Sequence, residues 1–256
     1  MTPVLLLIPG LLNTARVFDR TRALLDPALE VRVADVQTHD SIEAMAHNAW
    51  ATVADVEPDR PFAIAGFSMG GYVALQMLAE PRRAVQGLGL ICTSARADTA
   101  PAQALRDRAV ASMERDFDRY VGSLGGFLVT PAGQTDAALM ATIRDDMLAV
   151  GATTAIRQHR AVAVRLDRRA LLSTLDLAAH VVGAADDPVT PPELSRELAA
   201  NIPRARLTVV DGVGHLLPFE RPAELAAALT ELIARAVPVD PTTAATTSGP
   251  ATRGTP

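Results

Sequence analysis

Short apolar runs and longer amphipathic stretches alternate along this chain. The runs Val4–Ile8, Val31–Ala34, Phe62–Phe67, Gly87–Thr93, His180–Gly183 and Arg206–Val210 read as strands. Helical spacing falls between them near Thr14–Leu25, Ser41–Val56, Met69–Glu80, Pro192–Asn201 and Ala223–Ala236. Proline and an acid open two of these helices, at Pro192-Glu193 and at Pro222-Ala223-Glu224, where a first turn accepts both. Ser41, followed three residues later by Ala44, supplies only part of a capping box. Such alternation predicts an α/β fold: about six mostly parallel strands with helices on both faces.

The alternation breaks once, between residues 95 and 173. Leu105, Val110, Met113 and Phe117 recur at helical spacing there, as do Leu139, Ile143, Met147 and Val150. No strand pattern interrupts them. A helical insertion of that length exceeds a crossover, so residues 1–94 and 174–236 are expected to form the core and residues 95–173 a cap over the sheet's edge. Residues 237–256 are mostly Pro, Thr, Ala, Gly and Ser, too poor in apolar side chains to offset their ordering entropy. They are expected to be a disordered tail.

Composition narrows the function by exclusion. Net charge −5 argues against a nucleic-acid surface, which needs a concentrated positive field. The chain has no lysine, which excludes Schiff-base catalysis and a lysine-bearing phosphate loop. Its single cysteine, Cys92, cannot form an intrachain disulfide and demands no oxidising compartment. The first residues lack the basic start and cleavage site of a signal peptide, and no run is long enough to span a bilayer. A cytoplasmic protein, monomer or homodimer, acting on a small molecule without a metal or cofactor, is the expectation.

The strongest local signal is Gly66-Phe67-Ser68-Met69-Gly70-Gly71, a G-x-S-x-G pattern between an apolar strand and an apolar helix. A sharp strand-to-helix turn exposes the serine, and glycines on either side let neighbouring backbone approach. A serine needs a base. His215 follows the strand Leu207–Val210 through Val213-Gly214 and so lies at the sheet edge that also carries Ser68, where open α/β folds place ligands. His180 falls inside a strand, and His39, His47 and His159 read as lying away from this edge. The base in turn needs an acid, and the segment Gly183 to Pro191 offers Asp186 and Asp187. The chain order serine, acid, histidine is that of α/β hydrolases and differs from the two familiar protease orders.

Over residues 3 to 236 the chain resembles the α/β-hydrolase family, which includes pimeloyl-carrier-protein methyl esterases, cofactor-free perhydrolases and carbon–carbon bond hydrolases. Gly66 to Gly71 resembles its nucleophile elbow, and Gly183 to Pro191 its G-x-x-D-x-x-x-P loop, in which the acid stands third after the glycine. Gly212-Val213-Gly214-His215 resembles its histidine loop. Leu6 to Leu11 resembles its first strand and H-G-x turn, with Pro9 replacing the histidine. The resemblance implies a catalytic triad of Ser68, Asp186 and His215 and an oxyanion hole made by the backbone N–H groups of Leu11 and Met69. It also implies an N-terminal hairpin, for which residues before Val4 leave no room, so the fold is expected to be an α/β-hydrolase sheet trimmed of that hairpin. The glycine-rich loop usual after the second strand is replaced by Gln37-Thr38-His39-Asp40-Ser41. The implied activity is a serine esterase forming an acyl-enzyme on Ser68 from an ester, thioester or lactone; Leu12, Val189, Leu216 and Leu217 lie near the nucleophile by chain position and are expected to bind a small hydrophobic acyl group. The same triad could instead serve perhydrolase, carbon–carbon hydrolase or lyase chemistry, or the scaffold could be a non-catalytic binding module.

Overall fold

The computed structural model describes residues 2–237, so the tail expected from residue 237 onward falls, but for Val237 itself, outside the described residues. Six strands run β1 Val4–Ile8, β2 Glu30–Val33, β3 Phe62–Phe67, β4 Gly87–Ile91, β5 Ala178–Ala184 and β6 Ala205–Val210. They form one sheet in the order β2-β1-β3-β4-β5-β6, and every neighbouring pair is parallel. The expected α/β class and six-strand count therefore hold. Boundaries shift by a residue or two, most at β5, which begins at Ala178 and runs on through Ala184.

Strand side chains alternate between two apolar layers. Leu5, Leu7, Ala63, Ala65 and Phe67 face Leu225, Leu229 and Leu232 of the helix Pro222–Ala236. Val4, Leu6, Ile8, Ile64 and Leu88 face Met45 and Trp50 of the helix Ile42–Ala51, Val73 of the helix Met69–Ala79, and Leu198 of the helix Pro192–Asn201. Period-two burial on both faces explains why these strands read as unbroken apolar runs. Ser41 caps its helix after all, its Oγ accepting from Ala44 N at 3.1 Å. The expected helix over Thr14–Leu25 is instead a 3-10 turn, Ala15–Phe18, running into one short helix, Asp19–Arg22.

Between β4 and β5 the described chain is helical: Ala100–Arg115, Phe117–Leu128, Pro131–Gln134, Ala137–Val150, Ala152–Ala163 and Arg169–Leu172. Each of the first four is started by a side-chain cap, from Thr99, Asp116, Thr130 and Asp136 in turn. Met113, Ile143, Met147 and Val150 are buried in the same apolar cluster as Leu5 and Phe67. Leu105, counted with that stripe from its spacing, is 60% exposed. The helices thus rest on the sheet's carboxyl edge by an apolar seam, and hydrogen bonds tie the loops after β1, β2 and β6 to them.

Candidate active site

Ser68 sits where β3 stops and the helix Met69–Ala79 begins, with φ 52° and ψ −114°. A non-glycine residue there is strained, and the surroundings over-determine it. Ser68 N donates to Ile91 O at 2.8 Å, and Thr93 Oγ1 donates to Ser68 O at 2.7 Å. A Cβ on Gly66 would collide with the Gly70 backbone, and one on Gly70 with the Ile8 carbonyl. The glycines of the motif are therefore steric requirements of the turn, and they push Oγ outward.

His215 meets that oxygen, its Nε2 lying 2.9 Å from Ser68 Oγ. Its loop is fixed from the helical side: His215 N donates to Leu128 O at 2.8 Å, and a Cβ on Gly214 would stand 2.5 Å from the same oxygen. Glu220 Oε1 accepts from Gly214 N at 3.0 Å, while its other oxygen accepts from Thr130 Oγ1 at 3.2 Å. The imidazole is 5.4 Å, centroid to centroid, from the ring of Phe67.

The carboxylate behind His215 is Asp187, which corrects the expectation of Asp186. Asp187 Oδ2 lies 2.8 Å from His215 Nδ1 and accepts from Thr190 Oγ1 at 2.7 Å. Its Oδ1 accepts from Val189 N at 2.8 Å and from Thr190 N at 2.9 Å. Asp186 is exposed and, among the described residues, tied only through its backbone N–H to Val213 O at 3.1 Å. The physical reason is local. Two aspartates follow β5 in succession, and the turn leaves Asp186 on its outward side. Pro188 has no N–H, and the next two amides close onto the Asp187 carboxylate.

Burial pushes the Asp187 carboxyl up, but the charge of His215 and the hydrogen bonds from His215 and Thr190 outweigh it and hold the group below its ordinary range. An ionised Asp187 can only accept, so Nδ1 carries the imidazole proton and Nε2 is left to accept from Ser68. Beneath the acid, burial foremost and then Asp187 itself keep the Cys92 thiol protonated, its pKa well above the ordinary value.

Past β1 the loop Gly10 to Thr14 passes in front of Ser68, with Leu12 at φ 61°. Two buried polar residues of the interposed helices hold it. Gln158 Oε1 accepts from Leu12 N at 3.0 Å, and Gln158 Nε2 donates to Val36 O at 3.1 Å. Asp146 accepts from Asn13 Nδ2 and from Thr14 N, both at 3.3 Å, and from the Thr14 hydroxyl. Leu12 N is thus occupied, while no acceptor among the described residues takes Leu11 N. Met69 N opens its helix and has no intrahelical acceptor.

A cavity with about 120 Å³ of space adjoins Ser68 and His215. Leu11, Leu12, Met69 and Val189 line it, as their chain positions imply. Leu216 and Leu217, expected to bind substrate, do not: both are buried in the core, turned under the histidine loop. The facing wall is Arg106, Tyr120, Leu124, Leu128, His159 and Val162, all from the interposed helices, with Tyr72 beside them. His159, read from sequence as lying away from this edge, is in the cavity wall. Nothing in its immediate sequence signals that placement, which depends on how one helix packs over a strand end far away in the chain. Among the described residues no cluster of side chains suits a metal ion, and no helix is long and apolar enough to cross a membrane.

A serine on a strained turn, a histidine and a buried acid, each after its own strand of a parallel sheet, define a class of protein, and comparison with known proteins meets it. The model of the alpha/beta hydrolase family matches residues 5–228, and the chain belongs to that family. The pimeloyl-[acyl-carrier protein] methyl ester esterase of Neisseria meningitidis serogroup A is 30% identical over 236 residues, covering 87% of this chain and 74% of the relative. A thermophilic esterase from Thermogutta terrifontis superposes with a TM-score of 0.83 at 23% identity, over 92% of this chain and 91% of its own. The enol-lactonase from Burkholderia xenovorans superposes at 0.78 with 17% identity, over 91% and 92%. These two likenesses speak for the fold.

Proposed function

We propose that this protein is a serine hydrolase of carboxylic esters that works through an acyl-enzyme on Ser68. The observation that carries the reading is the unbroken chain from Asp187 Oδ2 through His215 to Ser68 Oγ, at 2.8 and 2.9 Å. In that chain His215 Nε2 takes the hydroxyl proton as Ser68 Oγ attacks the ester carbonyl. The negative charge formed on the carbonyl oxygen rests on the N–H groups of Leu11 and Met69, with the N-terminal end of the helix Met69–Ala79 behind it. His215 gives its proton to the departing alkoxide, then activates a water that frees the acid and regenerates Ser68. Asp187 keeps the ring in the productive tautomer and stabilises the imidazolium. Water serves as the second substrate, and each step balances with no metal or cofactor.

The relative named as a methyl ester esterase supports ester cleavage, and the leucine and valine lining supports an acyl chain over a sugar or peptide. Residues 95–173 act in this reading as a cap that selects the acyl group, because they furnish most of the wall facing Ser68. Labelling with a fluorophosphonate probe, beside turnover of a series of p-nitrophenyl esters, tests it. Wild-type protein should label at Ser68 and turn over short and medium esters. Ser68→Ala should lose both, with turnover down at least about 10⁴-fold and an unchanged melting temperature. Labelling at another serine, or undiminished turnover by the variant, would overturn the assignment.

A further inference from the structure

The wall facing Ser68 is apolar except at one place, where Arg106, Tyr120 and His159 come together from three different helices. Tyr120 Oη lies 3.5 Å from His159 Nε2, and the two rings meet edge to face with centroids 6.4 Å apart. The other imidazole nitrogen, His159 Nδ1, is buried and has no hydrogen-bond partner among the described residues. A buried nitrogen left without a partner is unfavourable unless something else satisfies it. Burial, and after it the charge of Arg106, lowers the His159 pKa to about 4, so the ring is neutral near pH 7.

The charge balance beside the pair is uneven. Asp98 binds Arg106 through Nε and, at 3.4 Å, through Nη2, and it binds Arg165 through Nη1. One carboxylate thus serves two guanidinium groups. Arg165 is otherwise committed: its Nε donates to Arg96 O at 2.9 Å, its Nη1 to Val162 O at 3.0 Å, and its guanidinium lies 4.2 Å from the Tyr72 ring centroid. Arg106 is the member that reaches the cavity, and no acceptor among the described residues takes its Nη1. No aspartate or glutamate lines the cavity to neutralise it.

We infer that Arg106, with Tyr120 and His159, forms a subsite for a carboxylate at the far end of the acyl group, so that the preferred substrates are monoesters of dicarboxylic acids. The inference rests on the ester-hydrolase reading and narrows it. The excess guanidinium supplies charge and a free N–H, the Tyr120 hydroxyl a second donor, and a neutral His159 a third in the tautomer whose proton is on Nε2. The leucines and valines that share this cavity's lining suit the methylene spacer. A plain alkanoate would fill the same space but leave the polar groups unmatched, which is how a site rejects an analogue lacking one hydrogen-bonding group.

Full-length enzyme should be assayed on monomethyl esters of straight dicarboxylic acids of increasing length, each beside the methyl alkanoate of equal chain length. The expected result is a kcat/KM at least tenfold higher for the acid-bearing ester at one or two lengths. Arg106→Gln should erase that preference, lowering kcat/KM on the acid-bearing esters at least about tenfold more than on the neutral ones. Tyr120→Phe, which removes one hydroxyl and no packing, should cut the preference severalfold and tests the subsite should the arginine variant fold poorly. Equal rates on the two series in wild type, or equal losses on both in Arg106→Gln and Tyr120→Phe, would overturn the subsite. Fluorophosphonate labelling of wild type at Ser68, with turnover of p-nitrophenyl acetate, is read alongside: its failure would sink the hydrolase reading, whereas its success without acid preference would sink the subsite alone.

Discussion

On the sheet side of the cavity, Ser68 is held by a backbone turn that only glycines at 66 and 70 permit, and His215 and Asp187 stand a few residues past the ends of β6 and β5. On the helical side, Arg106, Tyr120 and His159 come from three helices and are placed by how those helices pack. The first group is specified by short-range sterics, so a change at Gly66 or Gly70 would distort the turn directly. The second depends on buried polar ties that span the chain, such as Gln158 to Leu12 and Asp146 to Asn13, at sequence separations of 146 and 133. A site built this way can keep its chemistry constant on one side while the other side changes with the substrate.

The sharpest way to probe the sheet side is to separate its two adjacent acids. Asp187→Asn keeps the shape but favours the wrong imidazole tautomer, a change that costs about 10⁴ in turnover in a well-studied serine protease. We expect a loss of at least about a hundredfold in kcat here, since Thr190 Oγ1 lies 3.5 Å from His215 Nδ1 and can in part hold the ring. Asp186→Asn should stay within about threefold of wild type, because its side chain faces solvent. Steady-state kinetics on a p-nitrophenyl ester decide it, and a larger loss at Asp186 would return the role to that residue.

The same contrast accounts for what could be read in the sequence. All six strands, the elbow and His215 were legible because each is announced by a run of neighbouring residues: an apolar segment, a pair of glycines, a turn. The choice of acid was not, because Asp186 and Asp187 follow the same strand, and which one faces His215 is decided by the closure of the Val189 and Thr190 amides onto one carboxylate. Leu216 and Leu217 follow the histidine and looked like cavity residues, but the short helix Leu217–Glu220 turns them into the core. His159 and Gln158 gave no local hint at all. Their roles exist only once the helix Ala152–Ala163 is laid over the loop after β1.

Gln158 tests whether the helical side also governs the chemistry. It is a positioning residue: it holds Leu12 N, one residue from the N–H assigned to the developing oxyanion. Losing one such donor outright costs about 10²–10³ in kcat, and loosening its loop should cost less. We expect Gln158→Leu to lower kcat about tenfold with little change in KM, and to weaken a trifluoromethyl ketone inhibitor in parallel. Gln158→Glu keeps an acceptor for Leu12 N but loses the donor to Val36 O, and should recover part of the loss. A purely structural role would instead show as a lower melting temperature with kcat per active site, titrated by fluorophosphonate, unchanged.

The effect furthest from the chemistry is read in stability against pH, and it concerns His159. Its pKa is lowered to about 4 in the folded protein, first by burial and then by Arg106, from an ordinary value of 6.5. Below pH 6.5 the unfolded chain binds a proton that the folded chain refuses until near pH 4, so this residue's contribution is constant above that window and falls as pH drops through it. The shift corresponds to about 2–3 kcal/mol between pH 7 and pH 4.5, as an order of magnitude. Buried His180, also lowered, adds to the same trend, whereas Asp146, raised by burial, opposes it by binding its proton earlier in the folded state. The single-site share is isolated by comparison: urea unfolding at pH 7 and pH 4.5 should show a smaller loss for His159→Gln than for wild type. Equal losses in the two proteins would mean that the imidazole charges without penalty, and that the cavity admits enough water to solvate it.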